Sequence, residues 1–150
     1  MAQFQREDFA DIYEEVKPLL QRHWAEISSN LDIPLDVNVE VYEAAESIDA
    51  FRAYTAREDG VIVGYAAMFL HQGVHYKQCK QATQDVIYID PDYRGRTLGI
   101  RLLSYVDDQL KAEGVQLVHQ HVKLAHPALG RLLERMGYKA VERIYQRRLD

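Results

Sequence analysis

The chain has 150 residues, 47% of them apolar and 27% charged, which predicts one compact domain over residues 1–150 with a real core and an ordinary polar surface. Its formal net charge of −5 excludes a nucleic-acid binder working through a broad basic field and leaves room for cationic partners. Cys79 is the only cysteine, no apolar segment reaches membrane-spanning length, and the N-terminus lacks an apolar signal core, so a cytoplasmic protein is expected.

From Asp8 to Ser28, Phe9, Ile12, Tyr13, Val16, Leu19, Leu20, Trp24 and Ile27 recur at helical steps. Pro18 interrupts this pattern and predicts a kink or a break into two helices. A loop follows, and Val39 to Ile48 opens like a strand but reads better as a short helix. Phe51 to Arg57 and Val61 to Leu70 flank a Glu58-Asp59-Gly60 turn signal and predict a β-hairpin. The polar stretch HQGVHYKQCKQ is long for a hairpin loop, and His71, His75 and Tyr76 within it are candidates to border a site. Ala82 to Ile89 is a further strand, and Leu98 to Ala112 a helix with Gly114 as its stop. Val115 to Val122 reads as a strand, Pro127 to Met136 as a short helix, and Val141 to Leu149 as a final strand. The order gives an α/β mixed sheet with helices on both faces.

The stretch VIYIDPDYRGRTLGIRLL carries an unusual junction: an apolar strand, a turn with two arginines, then a helix start. The first amides of a helix have no internal partner, and the helix dipole adds positive character there. Gly95 and Gly99 let a bulky anion approach the backbone, and Arg94 and Arg96 add charge-assisted contacts. The turn therefore reads as a cradle for phosphate or pyrophosphate, although it is neither a G-x-x-x-x-G-K-S/T loop nor a G-x-G-x-x-G turn.

IDPDYRGRTLGIRLL resembles the signature Q/R-x-x-G-x-G/A of the GCN5-related N-acetyltransferases (GNAT), with its V-x-P-x-Y-R-G lead-in, and LLERMGY at Leu132 to Tyr138 is similar to that family's lYeklGF ending. The likeness runs from about Phe51 to Arg148. It implies a GNAT-type fold: a central mixed, mostly antiparallel sheet with a V-shaped splay and helices on both faces. It implies acetyl-CoA as donor, an amine acceptor, and a homodimer as one option; charge, hydropathy and residue spacing lead to the expectation of no nucleic-acid partner, no membrane partner and no metal. Arg94, Gly95, Arg96, Thr97, Leu98 and Gly99 would hold the pyrophosphate, and Ile87, Tyr88 and Ile89 would run along the pantetheine arm. The chain departs from the pattern twice. Thr97 replaces the central glycine, and Leu133 stands where the family carries its acidic tyrosine. An acyl-CoA-binding module without catalysis is the competing reading.

Asp85 occupies a strand position where the family often carries a carboxylate base, and a buried carboxylate can accept a proton near neutral pH. A salt-bridged strand aspartate is the plainer alternative. His119 and His121 alternate on one strand and His126 follows, at the position of a family asparagine. The three are read as candidate acid–base groups, as a packing pair with a neighbour, or least favoured as metal ligands, since no carboxylate or thiol lies close in sequence. Cys79 has no partner histidine that sequence can name and is treated as incidental.

Overall fold

The computed structural model describes residues 1–150. A five-stranded sheet runs in chain order: β1 (Gln3–Glu7), β2 (Phe51–Glu58), β3 (Val61–Gln72), β4 (Lys80–Ile89) and β5 (Leu117–His119). The first four strands are antiparallel and β5 joins β4 in parallel, through the crossover helix α3 (Leu98–Ala112). In sequence, α1 (Phe9–Ile27) and α2 (Val39–Ser47) precede α3, and α4 (Ala128–Arg135) follows it.

The helices cover both faces. Phe9, Ile12, Val16 and Leu19 of α1 pack on Phe51, Ala53, Tyr65 and Tyr88, with Tyr42 and Ala45 of α2 beside them. On the other face Leu102, Val106 and Leu110 of α3 pack on Tyr54, Ala66, Met68 and Ala82. The Asp59-Gly60 turn has positive φ at both residues (49° and 80°), the twist that closes a tight hairpin. The end of α3 is a complete Schellman stop: Gly114 N–H donates to Lys111 and Val115 N–H to Leu110, with Gly114 at φ 84°.

Four sequence expectations need correction. Of the kink or break expected at Pro18, the break does not occur: α1 is one helix. Pro18 and Glu14 are exposed, so the carbonyl left without a helix partner faces water, while Val16 and Leu19 anchor the helix on either side. β1 was not foreseen; five mostly polar residues gain strand structure by pairing with β2 from Gln3–Arg57 to Glu7–Ala53. The strand expected over Val115 to Val122 shrinks to three residues, for a reason that belongs to the site. The final strand over Val141 to Leu149 does not form; Val141, Ile144, Tyr145 and Leu149 are exposed, and the segment is tied only by side chains such as Arg148 to Asp32 at 2.6 Å.

Arg52 also departs from strand alternation. It is only 2% exposed, and its guanidinium bridges Glu113 at 2.9 Å and the carbonyls of Asp49 and Phe51. Ionic groups at depth are tolerated when every donor finds a partner, and this one fastens the start of β2 to the end of α3.

Candidate active site

β4 is the axis of the site. It pairs with β5 only where Gln81, Ala82 and Thr83 face Leu117, Val118 and His119. One step on, the Gln84 side-chain oxygen accepts the His121 N–H at 2.8 Å. A nearly buried amide thus stands where a ladder hydrogen bond would continue, and it ends β5. Beyond this wedge the two segments part, which is the V-shaped splay.

The free edge of β4 can be assigned. Asp90 N–H donates to Val63 of β3 at 2.9 Å. Main-chain groups alternate sides along a strand, so those of Ile89 and Ile87 face into the splay. The Ile89 carbonyl is already taken by Arg94 Nε at 2.8 Å, leaving Ile87 as an open donor and acceptor there. Tyr88 points the other way, into the α1-side core.

At the end of β4 a 3₁₀ turn (Pro91–Tyr93) leads to α3. From Gly95 to Ile100 no amide N–H donates to any protein acceptor. Gly95 holds φ at 76°, a left-handed bend that an L side chain resists. Thr97 caps α3 by position but makes no side-chain cap hydrogen bond, so its hydroxyl is also uncommitted. At Gly99 an added Cβ would meet only Leu132 of α4, at an ordinary 3.7 Å. Protein packing does not demand glycine there; a ligand approaching the backbone would. Free amides, a helix N-terminus and this open position fit a diphosphate.

The two turn arginines differ. Arg94 grips Glu26 of α1 through both terminal nitrogens at 2.8 Å and lies over the Tyr88 ring at 5.2 Å. Together with Arg22–Asp90 at 2.9 Å it straps α1 to the end of β4, and its fork is spent on that strap. Arg96 makes no ion pair and rests near Tyr93, 5.9 Å from the ring centroid. Of the pair, Arg96 is the guanidinium available to a phosphate.

Asp85 sits in a β-bulge. Ala67 pairs with Val86 and Met68 with Gln84, so Asp85 is the extra residue and is turned toward α2. Its Oδ2 accepts from the Tyr42 hydroxyl at 2.6 Å. Oδ1 has no protein donor and is not sealed from solvent. Burial pushes this carboxyl above its ordinary range, and the Tyr42 hydrogen bond pulls it part of the way back.

The histidines are not drawn together. His119 ends β5 opposite Thr83, His121 lies just past it, and His126 lies in the turn before α4. No group of three His, Cys, Asp or Glu side chains is placed to hold a metal ion. His71 is in β3 rather than a loop and meets Thr83 Oγ1 at 3.0 Å. The loop itself is residues 73–79, closed by Gly73 N–H to Cys79. Leu133 is buried in the core, so α4 offers no hydroxyl from that position. The Tyr138 hydroxyl, the nearest tyrosine in sequence, is held by Asp107 of α3 at 2.6 Å.

Sequence reading missed Tyr42, Gln84 and Glu26. Gln84 had a signal, a long polar side chain inside the strand expected from Ala82 to Ile89. Tyr42 lay in the stretch whose secondary structure was ambiguous, and Glu26 reads as a solvated helix face.

Comparison with known proteins bears on the family and the fold. The acetyltransferase (GNAT) domain family matches residues 49–140. No curated protein sequence matches. Among solved structures, a ribosomal-protein-alanine N-acetyltransferase from Brucella melitensis biovar Abortus 2308 is 19% identical, with all of both chains covered and a TM-score of 0.75. A predicted acetyltransferase from Clostridium acetobutylicum, solved with acetyl-CoA, is 15% identical over 99% of this chain and 97% of that one, with a TM-score of 0.73. An aminoglycoside acetyltransferase from an uncultured soil metagenomic sample, in complex with sisomicin, is 12% identical over 99% and 95%, with a TM-score of 0.75. The chain belongs to the GNAT acetyltransferase family. Its class of reaction is acetyl transfer from acetyl-CoA to an amine nitrogen.

Proposed function

We propose that the acceptor is a primary amine that attacks the donor thioester directly, with the pyrophosphate of acetyl-CoA at Gly95 to Ile100 and the pantetheine arm along Ile87 to Ile89. The observation that carries this reading is the run of unpartnered amides at the start of α3, continuous with an open edge of β4. Arg96 and the Thr97 hydroxyl add contacts to the phosphates.

An amine that arrives as an ammonium must lose a proton before its lone pair is free. Asp85 Oδ1 is the base, and it relays protons through water to bulk solvent. The nitrogen forms its bond to the carbonyl carbon, the carbon–sulfur bond breaks, and the thiolate departs with the electron pair. A thiol is acidic enough to leave as its anion, so Leu133 is no obstacle. His119, His121 and His126 on the opposite wall are the groups able to protonate it afterwards.

We also read the protein as a single domain, cytoplasmic, and able to form a homodimer. β5 leaves an open sheet edge, and the exposed apolar side chains of residues 141–149 are surfaces a second copy would cover.

The test is Gly99→Glu. A carboxylate in the first turn of a helix is favourable, and Glu is a better helix former than Gly, so the free protein should melt no lower than wild type. The same carboxylate fills the cradle and repels phosphate, so acetyl-CoA affinity should fall on the order of 100-fold. Thiol release with a panel of primary amines should fall with it. A variant that binds acetyl-CoA as wild type does would remove the cradle from this site.

A further inference from the structure

Resting on the reading of Asp85 as base, we propose that Tyr42 is a positioning residue: its hydroxyl anchors Oδ2 of Asp85 so that Oδ1 is the one oxygen presented to the acceptor. The bulge alone does not fix the carboxylate. It frees Asp85 from the ladder and turns it toward α2, where a side chain can still rotate about its Cβ–Cγ bond. The 2.6 Å hydrogen bond removes that freedom.

Tyr42 is itself held. Its ring stacks on Phe9 at 4.9 Å and Phe69 at 5.9 Å and meets Phe51 edge-on at 5.1 Å. It therefore ties the base to the packed α1–α2 layer. The titratable groups facing Asp85 are few. Tyr42 comes from α2 and Tyr65 from β3, and on the β5 side His119 and His121 follow the segment beside Thr83 and Gln84. No cation takes part in setting its charge; burial raises its proton affinity and Tyr42 lowers it. The hydroxyl thus has a second effect. It offsets part of the burial that favours the protonated carboxyl.

The experiment is a ¹³C-carboxyl NMR titration of aspartate-labelled protein, with the Asp85 signal identified from Asp85→Asn. Tyr42→Phe keeps the ring contacts and removes only the hydroxyl. Its Asp85 midpoint should move up by about one pH unit, and the acid limb of kcat/KM should move with it while KM for acetyl-CoA stays put. If the Phe variant folds poorly, 3-fluorotyrosine at the same site, a stronger donor of nearly the same shape, should move the midpoint down. An unmoved midpoint in a folded variant overturns the inference and leaves Asp85 as base untouched. Wild-type kcat in Asp85→Asn overturns the base itself, and the catalytic positioning with it.

Discussion

Asp85→Asn should lower kcat for acetyl transfer by about 10²- to 10⁴-fold, the usual range for removing a positioned general base. Acetyl-CoA affinity should change little, because the cradle begins at Gly95, on the far side of the Pro91–Tyr93 turn from the bulge. The amide can still accept from Tyr42, so the variant should keep its fold; what it loses is an oxygen able to hold a proton. The pH dependence has a definite sign. Burial raises the Asp85 carboxyl, so a base at this position ionises at higher pH than an ordinary aspartate. Wild-type kcat/KM should therefore rise with pH through an acid limb that the Asn variant lacks. Thiol release followed across pH checks both, and an Asn variant as active as wild type would return Asp85 to the role of a strand residue.

The second large effect concerns His23, a residue of α1 that sequence reading passed over. Its ring is buried, stacked on Tyr88 at 4.8 Å, with Nδ1 at 3.2 Å from the Tyr65 hydroxyl. Burial lowers its pKa from 6.5 to about 4; Glu26 opposes the shift, while Arg94 and Lys123 add to it. The folded state therefore holds His23 neutral where the unfolded chain would protonate it. Between pH 6.5 and pH 4 the unfolded state binds more protons, so stability falls as pH falls through that window. The full loss is about 3 kcal/mol at 1.36 kcal/mol per pH unit. Urea unfolding at pH 7 and pH 4 should show wild type losing that much more than His23→Gln, which has no proton to take up. Parallel losses in the two proteins would mean His23 charges as easily inside as outside. The strand at stake is β4, since Tyr88 lies between the residues that face the splay, and acid should weaken donor binding as it weakens the fold.

The strand–turn–helix junction of the candidate donor site was legible because its determinants are local. A strand, a basic glycine-bearing turn and a helix start follow one another in sequence, and backbone amides at a helix N-terminus need no side chain to create an anion site. The Asp-Gly hairpin and the Gly114 stop were readable for the same reason. What sequence could not supply were contacts between distant segments. Arg94 looked like a phosphate ligand, yet Glu26, 68 residues away, occupies its fork. The Asp85 bulge arises from the register between β3 and β4, and Tyr42 reaches it from 43 residues upstream. The final segment shows the opposite failure: Val141, Ile144, Tyr145 and Leu149 do not alternate as strand residues do, and no strand of the sheet pairs with them.

Calorimetric titration of the wild-type protein with acetyl-CoA reaches the central claim most directly. If the free amides from Gly95 to Ile100 cradle a diphosphate, one equivalent should bind with measurable heat at submillimolar ligand, and 3′-phospho-ADP, which keeps the diphosphate without the arm, should compete. No heat with either ligand at several millimolar would contradict the account at its root.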